Sequence, residues 1–73
     1  MKRDELNDLA AFVLVADEMS FTRAAAKLEM SPSALSHAMK SLEDRLGLQL
    51  LTRTTRRVST TEAGDRLLRT LFF

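Results

Sequence analysis

Apolar residues recur at helical spacing near the start of the chain and predict an amphipathic helix over about residues 6–18. The stripe consists of Leu6, Leu9, Val13 and Ala16, and it is widened by Phe12 and Val15. Asp4 and Glu5 precede it, where acidic side chains stabilise the N-terminus of a helix. The first element is therefore expected to be a helix that buries one face.

A second, short helix is predicted over about residues 21–28, because Ser20 before it is a favourable N-cap. Ala24, Ala25 and Leu28 are expected to face inward. Alanines here raise helix propensity, and they also allow another helix backbone to approach closely, which is the interpretation that a tight helix pair favours. A four-residue break at residues 28–31 then separates this helix from the next one.

The third predicted helix covers about residues 32–46. Ser31 caps it, Pro32 occupies the first helical position, where a missing N–H costs nothing, and Gly47 follows its last turn. Its apolar side is predicted to hold Ala34, Leu35, Ala38, Met39, Leu42 and Leu46. Its other side is polar or basic and holds Ser33, Ser36, His37, Lys40 and Asp44.

The pattern changes after Gly47. Threonine and valine in residues 52–61 favour strands and predict a small two-stranded hairpin with its tip at residues 54–56, although no Asn-Gly or Asp-Gly turn marks it. Thr61 is expected to cap a last helix, with Ser59 and Glu62 as an alternative capping box. Gly64 weakens that helix, so something other than helix propensity must require glycine there.

Length and composition exclude several classes of protein. A chain of 73 residues forms one domain at most and buries only about 60% of its unfolded surface. The absence of cysteine excludes disulfides and Cys-based zinc sites, and the only histidine, His37, has neither a nearby cysteine nor an acid placed to orient it. No enzyme activity, metal or cofactor is predicted. The apolar run at residues 9–16 is too short for a membrane span, so we expect a cytoplasmic protein without a signal peptide.

Charge is distributed unevenly, although the formal net charge is only +1. Residues 1–20 carry two basic and five acidic side chains, whereas residues 21–60 carry seven basic and three acidic ones. Such an arrangement indicates a surface that faces a polyanion, and ordinary solvated helix faces explain it about equally well. The predicted hairpin favours the first interpretation, because Arg53, Arg56 and Arg57 lie close together without an acid among them.

Helix, break, helix and basic hairpin is the layout of a winged helix-turn-helix, a mainly α fold. In this fold the second helix of the pair enters the DNA major groove, and the wing contacts phosphate or the minor groove. An ordinary solvated face on the third helix stays open as an alternative for its polar residues. A winged-helix module that binds proteins and lacks DNA specificity is the alternative function, since a fold does not determine function.

Nearly the whole chain, about residues 6–68, resembles the N-terminal DNA-binding domain of LysR-type transcriptional regulators. The similarity rests on the segments NDLAAFVLVADEMSFTRAAAKL, SPSALSHAMKSLEDRLGLQLLTRTTRR and TEAG. It implies a three-helix core with a wing in residues 1–60, a recognition helix at about 32–46 and a wing at about 52–59. It also implies that residues 61–73 begin a linker helix used for dimerisation, and that the chain serves a bacterial repressor or activator.

Three departures from the family pattern affect the expected site. The family commonly has glutamine at the position of Pro32, where its side chain can contact DNA. Proline lacks the side-chain groups for that contact. An apolar residue is usual at the position of Thr60, so looser packing is expected there. The family normally continues into a ligand-sensing domain, so we expect an excised domain or a truncated product without an effector site.

The predicted partners are double-stranded DNA and a second copy of the chain, with higher oligomers in a full-length form. The predicted DNA-binding residues are Thr22, Arg23, Ser31, Pro32, Ser33, Ala34, Ser36, His37, Lys40, Arg53, Arg56 and Arg57. The predicted dimerisation residues form the apolar stripe of the last helix, Leu67, Leu68 and Leu71.

Overall fold

The computed structural model describes the backbone of residues 3–53 and 58–72, and the side chains of residues 7–53 and 58–71. The elements are α1 (Arg3–Glu18), α2 (Phe21–Leu28), α3 (Pro32–Leu46), β1 (Leu51–Arg53), β2 (Val58–Thr60) and α4 (Glu62–Phe72). This is a winged helix-turn-helix, as predicted. The bounds of α2 and α3 match the prediction, while α1 begins three residues earlier than expected. None of the described helices has both the length and the apolar character needed to cross a membrane.

The core lies where α1, α2 and α3 pack against one another and against the base of the sheet. Its members are Leu9, Ala11, Phe12, Val15, Ala24, Ala25, Leu35, Met39, Leu42, Leu50, Leu51 and Val58. Phe12 and Val15 are fully buried, whereas Val13 and Ala16, predicted to form the stripe of α1, are only half-buried. The prediction was wrong for Val13 and Ala16 because α1 is apolar over more than one face, and the face that holds Phe12 packs into the core.

Three residues predicted to face inward are exposed in the structure. They are Leu28, Ala34 and Leu46. Leu28 and Leu46 are the last residues of their helices, and Ala34 lies in the first turn of α3. Helical spacing assigns a residue to one side of a helix, but it does not tell whether a neighbouring element covers that end. Leu6, the other member of the predicted stripe of α1, has its side chain outside the described residues.

The strands of the predicted hairpin pair antiparallel, and Leu51 lies opposite Thr60. Leu51 and Val58 are buried and attach the sheet to the core. The first strand begins only at Leu51, and Leu48, the first apolar residue after α3, is exposed. The predicted tip at residues 54–56 lies outside the described residues.

The N-terminus of α4 docks on the backbone that precedes β1. Thr61 caps the helix: its Oγ1 accepts a hydrogen bond from the Gly64 N–H at 3.0 Å and donates one to the Gln49 carbonyl at 2.5 Å. The Thr61 N–H donates to the Leu50 carbonyl at 2.9 Å. Of the two caps predicted, the structure therefore uses Thr61, and the Ser59 Oγ instead lies 2.7 Å from the Thr52 Oγ1.

The surroundings of Gly64 explain why α4 contains a glycine. A Cβ atom at this position would lie 2.3 Å from the Leu50 carbonyl oxygen and 3.4 Å from the Phe12 ring. Glycine is therefore required for the close approach of α4 to the backbone, and this contact is the requirement beyond helix propensity that the sequence indicated without identifying it. Thr60, beside this contact, is half-buried, and its hydroxyl donates a hydrogen bond to the Asp65 carboxylate instead of packing as an apolar residue would.

Candidate nucleic-acid interface

The turn between α2 and α3 is built from two capping interactions and one left-handed residue. Glu29 adopts φ 58°, which ends α2, and the Met30 N–H donates to the Ala25 carbonyl at 3.0 Å. Ser31 then has extended backbone, and its Oγ accepts a hydrogen bond from the Ala34 N–H at 3.1 Å. At the other end of α2, the Ser20 Oγ accepts from the Arg23 N–H at 3.2 Å. Both predicted serine caps are therefore confirmed.

Most of the polar face predicted for α3 is exposed. Ser33, His37 and Lys40 are exposed and Ser36 is half-buried, while Leu35, Met39 and Leu42 on the opposite side are buried. The helix is thus anchored by one face and presents small, polar and basic side chains with the other. Ser31, Pro32 and Ala34, at its N-terminal end, are exposed as well. The short side chains there allow close approach of a ligand to the helix.

The N-terminal ends of α2 and α3 meet at a shallow hollow, which we call the α2–α3 hollow. Phe21, Pro32, Ser33, Ser36 and His37 line it. Four of these were predicted site residues, and the structure brings them together. Phe21 was not predicted as a site residue, because a single aromatic residue beside a helix cap is typical of a core position.

Thr22 and Arg23 lie in the first turn of α2 and are exposed. The predicted wing residues are placed less completely. Arg53 is the last residue of β1 and has a side chain that is 34% exposed, whereas Arg56 and Arg57 lie outside the described residues. The structure thus places the helix-borne part of the predicted set and one of its three wing arginines.

Ion pairs engage three of the five basic side chains that the structure describes in residues 21–60. The pairs are Lys27 with Glu18, Arg53 with Glu43, and Arg45 with Asp8. The hydrogen bond to Glu18, at 2.6 Å, and the negative charge of that carboxylate raise the pKa of Lys27 above its ordinary value. Arg23 and Lys40 form no ion pair with any residue that the structure describes. Within the described residues, the positive charge that is free of ion pairs is therefore more localised than the sequence indicates.

The predicted dimerisation residues lie on α4 with different exposures. Leu67 and Leu68 are half-buried against the core, and Leu71 is 42% exposed. Leu68 also borders an apolar groove, and the other described residues that line it belong to α1. They are Ala10, Val13, Leu14, Ala16 and Asp17.

The fold and this surface define a winged helix-turn-helix domain of the nucleic-acid-binding kind. Residues 6–65 match the model of the family described as "Bacterial regulatory helix-turn-helix protein, lysR family". The chain belongs to this family.

Three similar proteins illustrate the relationship. The HTH-type transcriptional regulator PgrR of Escherichia coli (strain K12) is 63% identical over 71 residues, which cover 97% of this chain and 24% of PgrR. The crystal structure of the BenM DNA-binding domain with catB site 1 DNA has a TM-score of 0.84 and 41% identity, and the match covers 96% of this chain and 75% of that one. Full-length CbnR, solved with its target DNA, has a TM-score of 0.82 and 33% identity, covering 88% of this chain and 22% of CbnR. The chain thus spans about a quarter of the length of the curated relatives it matches.

Proposed function

We propose that this chain is the sequence-specific, double-stranded-DNA-binding domain of a LysR-type transcriptional regulator, with no catalytic role. The observation that carries the proposal is the geometry of α3. Its apolar face is anchored in the core, and its N-terminal turns present small polar side chains beside α2. BenM and CbnR, which share this fold, were solved as complexes with DNA.

In the proposed mode of binding, α3 lies in the major groove with its N-terminal end at the base edges. Ser33, Ser36 and His37 contact bases, and Lys40 contacts a base or a phosphate. The predicted residues around the turn lie along the DNA backbone in this mode and allow close approach to it. They are Thr22, Arg23, Ser31, Pro32 and Ala34. The Ser31 Oγ accepts a hydrogen bond from the Ala34 N–H, so its own hydroxyl hydrogen can be donated to a phosphate oxygen.

The wider assignment follows the same proposal. Residues 1–60 form the winged helix-turn-helix, and residues 61–73 belong to a linker helix through which two copies pair. Pairing through Leu67, Leu68 and Leu71 would place two recognition helices on repeated half-sites. A regulator of this kind works on cytoplasmic bacterial DNA.

Selection of bound duplexes from a random pool tests sequence-specific binding. The chain is expected to enrich a defined site, and His37→Ala and Ser36→Ala are expected to relax the preference at one or two base pairs while non-specific binding survives. The expected loss of discrimination is about 1–3 kcal/mol per base contact. Ser41→Ala, at an exposed position on the same helix outside the proposed set, is the matched control. Equal stringency in both variants and the parent would show that these residues do not read bases.

A protein-binding module on the same scaffold is the alternative. A heparin or DNA column run at graded salt separates the two functions. The proposed function predicts retention that falls steeply with salt, because phosphate contacts release counterions. A chain that passes through unretained at low salt would favour the protein-binding function.

A further inference from the structure

The protein itself engages the guanidinium group of Arg53. We propose that Arg53 is a positioning residue: together with Glu43 it fixes Phe21, and through Phe21 it shapes the α2–α3 hollow where a base pair is read. This inference rests on the proposed function. It assigns base discrimination to a residue that the sequence indicated as a phosphate or minor-groove contact.

Two interactions hold the Arg53 side chain from different directions. Its Nη2 donates to the Glu43 Oε1 at 3.3 Å, and its Cζ lies 5.3 Å from the centroid of the Phe21 ring. A guanidinium at this distance over a ring face is attracted by the negative quadrupole of the ring. Arg53 therefore connects β1 to α2 as well as to α3.

Glu43 is a rigid partner for this arginine. Its side chain is only 11% exposed, and its Oε2 accepts hydrogen bonds from the Leu50 N–H at 2.8 Å and the Leu51 N–H at 3.0 Å. Because two backbone N–H groups fix the position of the Glu43 carboxylate, the carboxylate also limits the movement of the Arg53 guanidinium group. Movement of Arg53 toward a phosphate would leave a largely buried carboxylate oxygen without that partner.

Phe21 transmits this arrangement to the recognition surface. The ring is half-buried, belongs to the first residue of α2, and lines the hollow together with Pro32, Ser33, Ser36 and His37. Arg53 thus packs on a ring that forms one wall of the hollow, and the polar groups proposed to contact bases form the other walls. Removal of Arg53 frees the ring to move, and the hollow loses its defined shape.

Arg57→Gln is the matched comparison for Arg53→Gln, since both remove one wing arginine by the same substitution. Affinity is measured by fluorescence anisotropy for the selected duplex and a scrambled duplex over a series of salt concentrations. For Arg53→Gln we expect the ratio of the two affinities to fall about tenfold while the log–log salt slope stays within about 0.3 of the parent. For Arg57→Gln we expect the slope to shrink by about 1 and both duplexes to lose affinity equally.

Phe21→Leu keeps an apolar side chain and removes the ring. It is expected to lower the affinity ratio as Arg53→Gln does, and the double variant is expected to lose no more than the larger of the two single losses. In a repeated duplex selection, both single variants are expected to relax the same base pairs. Thermal unfolding of each variant without DNA verifies that it is folded, and if Arg53→Gln does not fold, Phe21→Leu alone decides.

Two results would overturn the inference. One is a salt slope in Arg53→Gln that shrinks as in Arg57→Gln, with equal losses on both duplexes, which identifies Arg53 as a phosphate contact. The other is unchanged base preference in Phe21→Leu. A parent chain without any preference for a selected duplex contradicts the proposed function itself, and that result is seen before any variant is compared.

Discussion

The backbone at Leu50 and Leu51, where β1 begins, is held from two sides. The Glu43 carboxylate accepts hydrogen bonds from both N–H groups, the Thr61 N–H donates to the Leu50 carbonyl, and Gly64 of α4 lies against that carbonyl. One short stretch of backbone therefore joins α3, the wing and α4. Substitutions at the residues that contact this backbone are expected to change the free energy of unfolding in ways that helix propensity does not predict.

Gly64→Ala is expected to destabilise the protein by about 1–3 kcal/mol, because the added Cβ would overlap the Leu50 carbonyl oxygen. Helix propensity by itself predicts the opposite sign, a gain of about 1 kcal/mol. Urea unfolding of the two chains measures the difference. Gly47→Ala is the control, since nothing lies within 4 Å of its Cβ position and only its φ of +67° opposes alanine, at about 1–2 kcal/mol. A more stable Gly64→Ala would refute the close approach of α4.

Glu43→Gln is expected to cost about 1.5–3 kcal/mol, since two backbone donors and Arg53 lose an ionised acceptor. Asp44→Asn, at an exposed neighbouring position of α3, is the matched control and is expected to stay within about 0.5 kcal/mol of the parent. The free energy of unfolding and the hydrogen exchange of Leu50 and Leu51 check both expectations. Equal stability of the two variants would show that the Glu43 contacts contribute little.

Among the elements, α3 and the wing differ in how they are held, and this separates their proposed contributions to binding. The recognition helix is anchored by three buried side chains, Leu35, Met39 and Leu42, so its exposed face has a fixed orientation. The wing is attached through Leu51 and Val58, and its strands are three residues each. We expect α3 to supply discrimination, and we expect Arg56 and Arg57 of the wing to supply affinity that does not depend on sequence.

Arg56→Ala and Arg57→Ala test the contribution of the wing. Each is expected to weaken binding to all duplexes by a similar factor and to reduce the log–log salt slope by about 1 for each phosphate that its arginine neutralises. Anisotropy titrations at several salt concentrations, on the selected and the scrambled duplex, measure both quantities. Arg69→Ala, an exposed arginine of α4, is the control with an expected unchanged slope. Unchanged slopes in both wing variants would rule out phosphate binding by these two arginines.

On the scale of the whole molecule, one stripe of α4 and the adjoining surface of α1 are largely apolar. Leu71 is exposed, and Leu68 borders the groove formed with Val13 and Leu14. A small domain has little core in which to bury such a surface, and a two-fold partner would cover it in both copies at once. This supports the proposed dimer through α4.

Leu71→Glu is expected to weaken self-association without unfolding the monomer, because Leu71 is already exposed within one chain. Sedimentation equilibrium of the parent over a wide concentration range is expected to show a mass that rises from one chain to two. The variant is expected to remain monomeric over the same range, since a charge in an apolar interface is costly. Thr70→Glu, an exposed neighbour, is the control for the added charge. A parent that stays monomeric at high concentration, or a Leu71→Glu variant that dimerises equally, would contradict assembly through α4.

Features that depend on neighbours in sequence were predictable from the chain itself. Ser20, Ser31 and Gly47 mark helix ends because caps act over three or four residues, and the structure has α2 and α3 within those limits. The conflict of Gly64 with helix propensity was also evident from the sequence, whereas its cause, the contact with the Leu50 carbonyl, is tertiary. The winged layout followed from the order of these elements.

Contacts between residues far apart in the chain were decided by the tertiary structure. Leu28 and Leu46 have core-like spacing and are exposed, because none of the elements that the structure describes covers those helix ends. Arg53 has the sequence context of a DNA contact, yet it pairs with Glu43 and stacks on Phe21, ten and thirty-two positions away. A pattern along one element gives the side on which a residue lies, whereas its partners depend on which elements the fold brings against that side.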